Sequence, residues 1–177
     1  MTLVILALWL MAGALLQTLG PAPAWLGQAK LPWLMAVALY YALNRSTAWM
    51  MVAAVCCGLA QDLMDIVPLG YSAAVFGVLA LVVSRFRNLI MGESAATAAF
   101  FGFVAGALVT LARAALLARE GVIAVPLERL ALKAFGCGVL GAVCTPAVFW
   151  LAHHADELVG NVVIKEVVDD FEQPLGE

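Results

Sequence analysis

The feature that most constrains this chain is a series of long apolar runs, separated only by short segments that contain Gly, Pro or charged residues. Of its 177 residues, 65% are hydrophobic and 12% are charged, whereas a soluble domain is typically about 45–50% apolar and about 25% charged. One soluble core of this size does not bury such an excess, because its surface must still be polar. The composition therefore indicates a polytopic membrane protein and argues against a soluble enzyme or a nucleic-acid-binding protein.

The apolar runs predict an all-α transmembrane bundle of about six spans. The predicted spans cover residues 2–19, 31–43, 48–61, 66–83, 94–118 and 130–152. A helix rises about 1.5 Å per residue, so that crossing a membrane takes roughly 20 residues. The second run is therefore the weakest of the six predictions. If it does not cross, five spans remain and the two termini fall on opposite sides.

Lysine and arginine in short loops indicate which side of a membrane each loop occupies. The loops after the second and fourth spans carry three arginines, Arg45, Arg85 and Arg87. The bias over the opposite loops is small. It favours a topology with both termini in the cytoplasm.

Charge divides the chain into a membrane domain, residues 1–155, and an acidic tail, residues 156–177. The first part holds eight Lys and Arg against five Asp and Glu, and the tail holds one Lys against seven acids. Apolar residues recur through the tail at helical spacing, which predicts an amphipathic helix. Anionic lipids attract basic segments rather than acidic ones. The tail therefore either docks onto a protein partner or forms a solvated extension of the last span.

The fifth predicted span contains a stripe of small residues at every fourth position, which consists of Ala98, Gly102, Gly106 and Thr110. Gly138 and Ala142 repeat the pattern in the sixth span. Small residues allow helix backbones to approach closely within a membrane. The stripe predicts close helix packing, against either another span or another chain.

Four ionisable residues fall inside the predicted spans or at their ends: Asp62, Asp65, Arg113 and Lys133. Such residues are costly in a membrane and are the first functional candidates. The alternation of spans places all four in the same half of the membrane. We expect Asp62 to pair with Arg113, because either charge buried alone would cost several kcal/mol. The alternative is that Arg113 and Lys133 extend to the membrane interface.

These charges do not predict an enzyme. Two carboxylates can act as general acid and base, but no His, Ser or set of metal ligands converges with them in the sequence. All four cysteines lie in apolar runs without the spacing of a metal site; they are Cys56, Cys57, Cys137 and Cys144. We therefore expect no catalytic residue, no metal ion and no cofactor.

The segment Gly58-Leu59-Ala60-Gln61-Asp62, followed by Pro68-Leu69-Gly70 and a further apolar run, resembles the signature of the rod shape-determining protein MreD family. Members of that family are short polytopic membrane proteins of about this length. The resemblance covers residues 58–84 specifically and the rest of the layout loosely. The resemblance implies that the motif residues have a structural or partner-binding role. These residues are Gly58, Gln61, Asp62, Pro68 and Gly70.

The motif also makes physical sense as a turn between two helices. Asp62 can accept hydrogen bonds from the backbone of the following turn. Pro68 is suited to the first position of the fourth helix. Gly70 would permit close approach of a neighbouring helix.

The resemblance implies a non-enzymatic subunit of the bacterial lateral-wall elongation machinery in the inner membrane, needed for rod cell shape. The implied partners are the single-span periplasmic protein MreC, the polymerase RodA with its transpeptidase, the MreB filament and membrane lipid. The MreD family is also similar in fold to the substrate-capturing subunits of energy-coupling-factor vitamin transporters, so that a small-molecule binder is the alternative. Such a binder needs convergent aromatic and polar groups. Here the five tryptophans are spread singly along the chain, mostly near the ends of spans, as interfacial anchors are.

Overall fold

The computed structural model describes residues 2–20, 29–65, 68–86, 95–119, 121 and 126–158. Over these residues the chain forms six helices and no strand, which confirms the predicted all-α class. The helices are α1 (Thr2–Leu19), α2 (Trp33–Asn44), α3 (Thr47–Met64), α4 (Tyr71–Phe86), α5 (Ala95–Arg119) and α6 (Leu127–Leu158). The predicted acidic tail lies outside the described residues, except for its first three, which end α6.

Three of the described helices are long and apolar enough to cross a membrane. They are Thr47–Met64, Ala95–Arg119 and Leu127–Ala155. The other apolar stretches are shorter; they are Ile5–Leu19 of α1, the 12 residues of α2 and the 16 residues of α4. Length and composition therefore support membrane crossing most directly for α3, α5 and α6.

The short helix α2 forms the centre of the protein. Residues 34–42 are all buried, and α2 contacts each of the other five helices. A helix that is apolar on every side belongs in a core. At about 1.5 Å per residue, its 12 residues are also shorter than the hydrocarbon layer. The run that is weakest as a predicted span is therefore the core helix of the fold.

The other helices pack around α2 in the order α1, α3, α4, α5 and α6. Successive helices run in opposite directions, since Gly20 lies beside Leu31 while Gly13 lies beside Leu34, and Gly58 lies beside Ala73. The C-terminal ends of α1, α3 and α5 consequently meet the N-terminal ends of α2, α4 and α6. We call this the charged end of the bundle. The beginning of α1 and the end of α6 lie at the opposite end.

The most extensive helix contact joins α5 to α6, and it uses the predicted stripe of small residues. A Cβ atom added at Gly102 would overlap the carbonyl oxygen of Gly141 and the side chain of Thr145. A Cβ atom added at Gly106 would overlap the carbonyl oxygen of Cys137. The partner of the stripe is therefore α6 of the same chain.

The remaining members of the stripe have smaller roles. Ala98 is buried, and the Thr110 hydroxyl donates to the Gly106 carbonyl within α5, at 2.8 Å. On α6, Gly138 faces the Phe103 ring. Gly141 and Thr145, one turn apart on α6, lie opposite Gly102 of α5.

The outer surface of the described helices is apolar. Large apolar side chains are exposed on α1, α3, α4, α5 and α6, whereas α2 has none. On α3 they form a stripe at helical spacing, which consists of Val52, Val55, Leu59 and Leu63. Several polar side chains are buried instead, including Gln17, Gln61 and Asp62. The described helices are therefore apolar both in their core and over much of their outer surface, which is unusual for a soluble protein.

Candidate functional site

The polar residues at the charged end gather around the last turn of α3. Gln61 and Asp62 are buried there, with 6% and 2% of their surface exposed. The helix ends at Met64, and Asp65 has an extended backbone with φ −108° and ψ 151°. Because the helix ends at this point, Asp62 and Asp65 do not share one helical face. The two carboxylates therefore bind different parts of the bundle.

Asp62 caps the N-terminus of α4. Its Oδ2 accepts a hydrogen bond from the backbone N–H of Gly70 at 2.8 Å, and its Oδ1 accepts one from Ser72 at 3.0 Å. The first N–H groups of a helix have no partner within the helix. A carboxylate at that position satisfies them and also faces the positive end of the helix dipole. Asp62 therefore joins α3 to α4 through the backbone.

The turn before α4 corrects two of the expectations for the motif. Gly70 has φ +104°, a conformation that favours glycine, and a Cβ atom added there would have no neighbour within 4 Å. Gly70 therefore shapes the turn rather than admitting a helix. The close approach is at Gly58, where a Cβ would overlap the backbone of Ala73. Pro68 lies three residues before Tyr71, the first residue of α4, because the left-handed Gly70 delays the start of the helix.

Arg113 of α5 pairs with Asp65, and not with Asp62 as predicted. The distance from Arg113 Nη2 to Asp65 Oδ2 is 2.7 Å, and each side chain is 19% exposed. Lys30, which precedes α2, reaches the other carboxylate oxygen of Asp65 at 3.2 Å and is 52% exposed. Asp62 is directed towards the amides of α4, so that only Asp65 is left to meet the two cations.

Gln61 extends the pairing to α1. Its amide nitrogen donates to Asp65 Oδ2 at 2.8 Å, and its amide oxygen accepts a hydrogen bond from Gln17 at 2.7 Å. A continuous polar chain thus runs from Gln17 through Gln61 and Asp65 to Arg113. Gln17 was absent from the predicted site. Its signal in the sequence is an amide side chain inside an otherwise apolar helix.

The surroundings of Asp65 keep it ionised. Burial is the largest single influence and raises the pKa of Asp65. Hydrogen bonds from Arg113, Gln61 and Lys30, together with the charge of Arg113, outweigh burial and hold the pKa below its usual value. At neutral pH the cluster therefore contains one carboxylate between two cations.

The other predicted site residues lie apart from this cluster. Lys133 is exposed on α6, as expected for a cation that extends to the interface. Among the described residues, no group of three or more His, Cys, Asp or Glu side chains is placed to hold a metal ion. The geometry of the cluster is that of a set of ties between helices, with the half-exposed Lys30 at its outer edge.

We compared the chain with protein-family models, with curated proteins and with solved structures, and no match was found in any of the three. The fold and the site therefore define a class only, an all-helical protein with three helices that could span a membrane. The resemblance to the MreD family rests on residues 58–84 and on the general layout.

Proposed function

We propose that the chain is a polytopic membrane protein, with its six helices embedded as one bundle in the bacterial inner membrane and both termini in the cytoplasm. The observation that carries this proposal is the apolar exterior, with large apolar side chains exposed on five helices, while Gln17, Gln61 and Asp62 are buried within the bundle. Lipid requires an apolar exterior, and polar groups within a membrane require internal partners. The alternating directions of the helices are consistent with termini on one side.

Within that membrane, we propose a non-enzymatic role in the lateral-wall elongation machinery, like that of the MreD family. Three of the five motif residues that carry the resemblance, Gly58, Asp62 and Gly70, shape one structural unit, the α3/α4 hairpin. Gly58 brings the two helices together and Asp62 caps α4. A hairpin fixed in this way is suited to present a constant surface to MreC, to RodA with its transpeptidase, or to the MreB filament.

The contact surface proposed for the MreC-like partner is the outward side of the hairpin at the charged end. The inward side of the hairpin is already occupied by contacts with α1, α2 and α5. Leu63 and Leu69 point outward and are 76% and 66% exposed. A single transmembrane helix could pack against them, because such contacts depend on complementary shape.

The test is co-purification of the full chain with an MreC-like protein. We expect Leu63→Trp to reduce recovery of the partner severalfold, because the larger ring displaces a packed helix. Leu127→Trp is the matched control, since Leu127 is 79% exposed at the same end of the bundle but lies on α6. Equal recovery with both variants, at normal membrane levels, would remove the proposed surface. Recovery of an energising ATPase module instead, with stabilisation by a small ligand, would favour the transporter alternative.

A further inference from the structure

Two cations at the charged end, Lys30 and Arg113, share the single carboxylate of Asp65, which balances only one of their two positive charges. Lys30 and Arg113 both bind Asp65, one at each oxygen. The other acid at the end of α3 is Asp62, and its oxygens accept hydrogen bonds from the amides that begin α4. One carboxylate between two cations leaves a surplus of about one positive charge, which is costly to keep beside hydrocarbon without a counter-ion.

The same two cations have unused hydrogen-bond donors. Arg113 donates to Asp65 through Nη2, which leaves the N–H groups of Nη1 without a partner among the described residues, whereas its Nε is enclosed by the protein. A guanidinium carries five N–H donors and an ammonium carries three. Arginine donors match the oxygens of a phosphate group, often two at a time. The cluster therefore has both the charge and the donors for one further anion.

The depth of the cluster fits the phosphate layer of a membrane. Arg113 lies six residues before Arg119, the end of α5, which places it about 9 Å below that end. A long cationic side chain at this depth extends outward to the headgroups, and the exposed Lys30 lies further out, before α2. The first turn of α2 contains no acidic residue and no side-chain cap. The positive N-terminal end of the α2 dipole therefore adds to the positive potential around Lys30 and Arg113.

We propose that Lys30 and Arg113 bind the phosphate group of an anionic phospholipid at the charged end of the bundle. Lys30 Nζ and the free N–H groups of Arg113 donate to the phosphate oxygens, and the lipid supplies the negative charge that Asp65 does not. The acyl chains then lie against the apolar exterior. This site requires that the protein is in a membrane, but it does not depend on which proteins it binds there.

The first test measures lipid retention by the full chain, purified in detergent and analysed by native mass spectrometry. We expect phosphatidylglycerol to be retained over phosphatidylcholine. Lys30→Gln and Arg113→Gln should each weaken that retention about tenfold, as expected for the loss of one charge-assisted hydrogen bond. Lys133→Gln, the removal of an exposed cation on α6, is the matched control and should leave retention unchanged. If Arg113→Gln does not fold, Lys30→Gln decides alone, because its side chain is half exposed.

We expect Asp65→Asn to raise the retention of phosphatidylglycerol, in contrast to Lys30→Gln and Arg113→Gln, which lower it. Without the competing carboxylate, the two cations should bind phosphatidylglycerol severalfold more tightly. If Asp65→Asn instead lowers retention as Lys30→Gln does, the cluster only holds helices together and the proposal is overturned. Equal retention of the two lipids, or equal loss in Lys133→Gln, would also overturn it.

A third experiment distinguishes binding of a lipid headgroup from binding of free phosphate. Inorganic phosphate is added to delipidated wild type and to Lys30→Gln, and the shift in the thermal unfolding midpoint that phosphate causes is measured for each. We expect phosphate to shift the two midpoints equally. A stabilisation of wild type alone would assign the site to free phosphate and remove the lipid.

Discussion

The α3/α4 hairpin and the α5/α6 hairpin are both antiparallel pairs of apolar helices, but different interactions join them. In α5/α6 the glycines of one helix lie against backbone atoms of the other at two successive turns, Gly102 beside Gly141 and Gly106 beside Cys137. In α3/α4 the backbones come this close at Gly58, and the carboxylate of Asp62 makes the second connection, to the amides that begin α4.

For a bundle that lies in a membrane, as proposed, the comparison gives two ways to join helices without a hydrophobic drive from the solvent. Close packing of small residues maximises van der Waals contact between backbones. A carboxylate on backbone amides gives bonds that no water replaces within a membrane. The first kind of contact should be sensitive to added volume, and the second to a lost acceptor. The α5/α6 hairpin should therefore depend on close packing alone, whereas α3/α4 depends on close packing at Gly58 and also on the acceptor at Asp62.

The largest effect is expected from added volume in α5/α6. Gly102→Ala places a methyl group against a backbone oxygen, which cannot move aside as a flexible side chain would. We expect a loss of about 3 kcal/mol in the free energy of unfolding, at the upper end for overpacking. Gly77→Ala is the matched control on α4, since its Cβ would meet only the Met51 methyl at 4.0 Å. The measurement is denaturant unfolding of the full chain in detergent micelles. Similar losses in both variants would contradict the proposed difference.

The next largest effect is expected from the lost acceptor in α3/α4. Asp62→Leu leaves the N–H groups of Gly70 and Ser72 without their carboxylate. A missing cap costs about 0.5–2 kcal/mol, and buried amides without partners add to it, so we expect a loss of about 2 kcal/mol. Asp62→Asn keeps an oxygen acceptor and should recover most of the stability. The same unfolding assay applies, and equal losses in the two variants would mean that the cap is not what stabilises α4.

The elements of the fold could be predicted from the sequence because the signals for them are local. Apolar runs and their Gly, Pro and charged boundaries place all six helices, and spacing by four places the stripe that includes Gly102. The role of α2 could not be predicted in this way. Its length argues against a membrane span, but only the packing of five neighbours shows that residues 34–42 form the core.

The pairing within the site could not be predicted, because it depends on where α3 ends. Asp62 and Asp65 would share a face only if the helix continued through both. It ends at Met64, and the backbone of Asp65 is extended, which leaves one acid to α4 and the other to Arg113. Gly70 illustrates the same limit on what the sequence alone can predict. Its presence in a turn is clear from the sequence, but the positive φ that explains it is a property of the folded backbone.

The smallest effect concerns the ion pair that links α3 to α5, which differs from the Asp62 cap in being partly exposed. The pKa of Asp65 is held below its usual value, so the pair stabilises the fold above the unfolded pKa of about 4. That contribution is lost as pH falls through the lower, folded pKa. We expect Asp65→Asn to cost about 1 kcal/mol at pH 7, or about 2–4 °C in the unfolding midpoint for a chain of this size. The difference between wild type and variant should disappear in strong acid. If the difference stays constant down to strong acid, the stability of this link does not come from the charge of Asp65, and the two hairpins are then joined to each other by uncharged contacts.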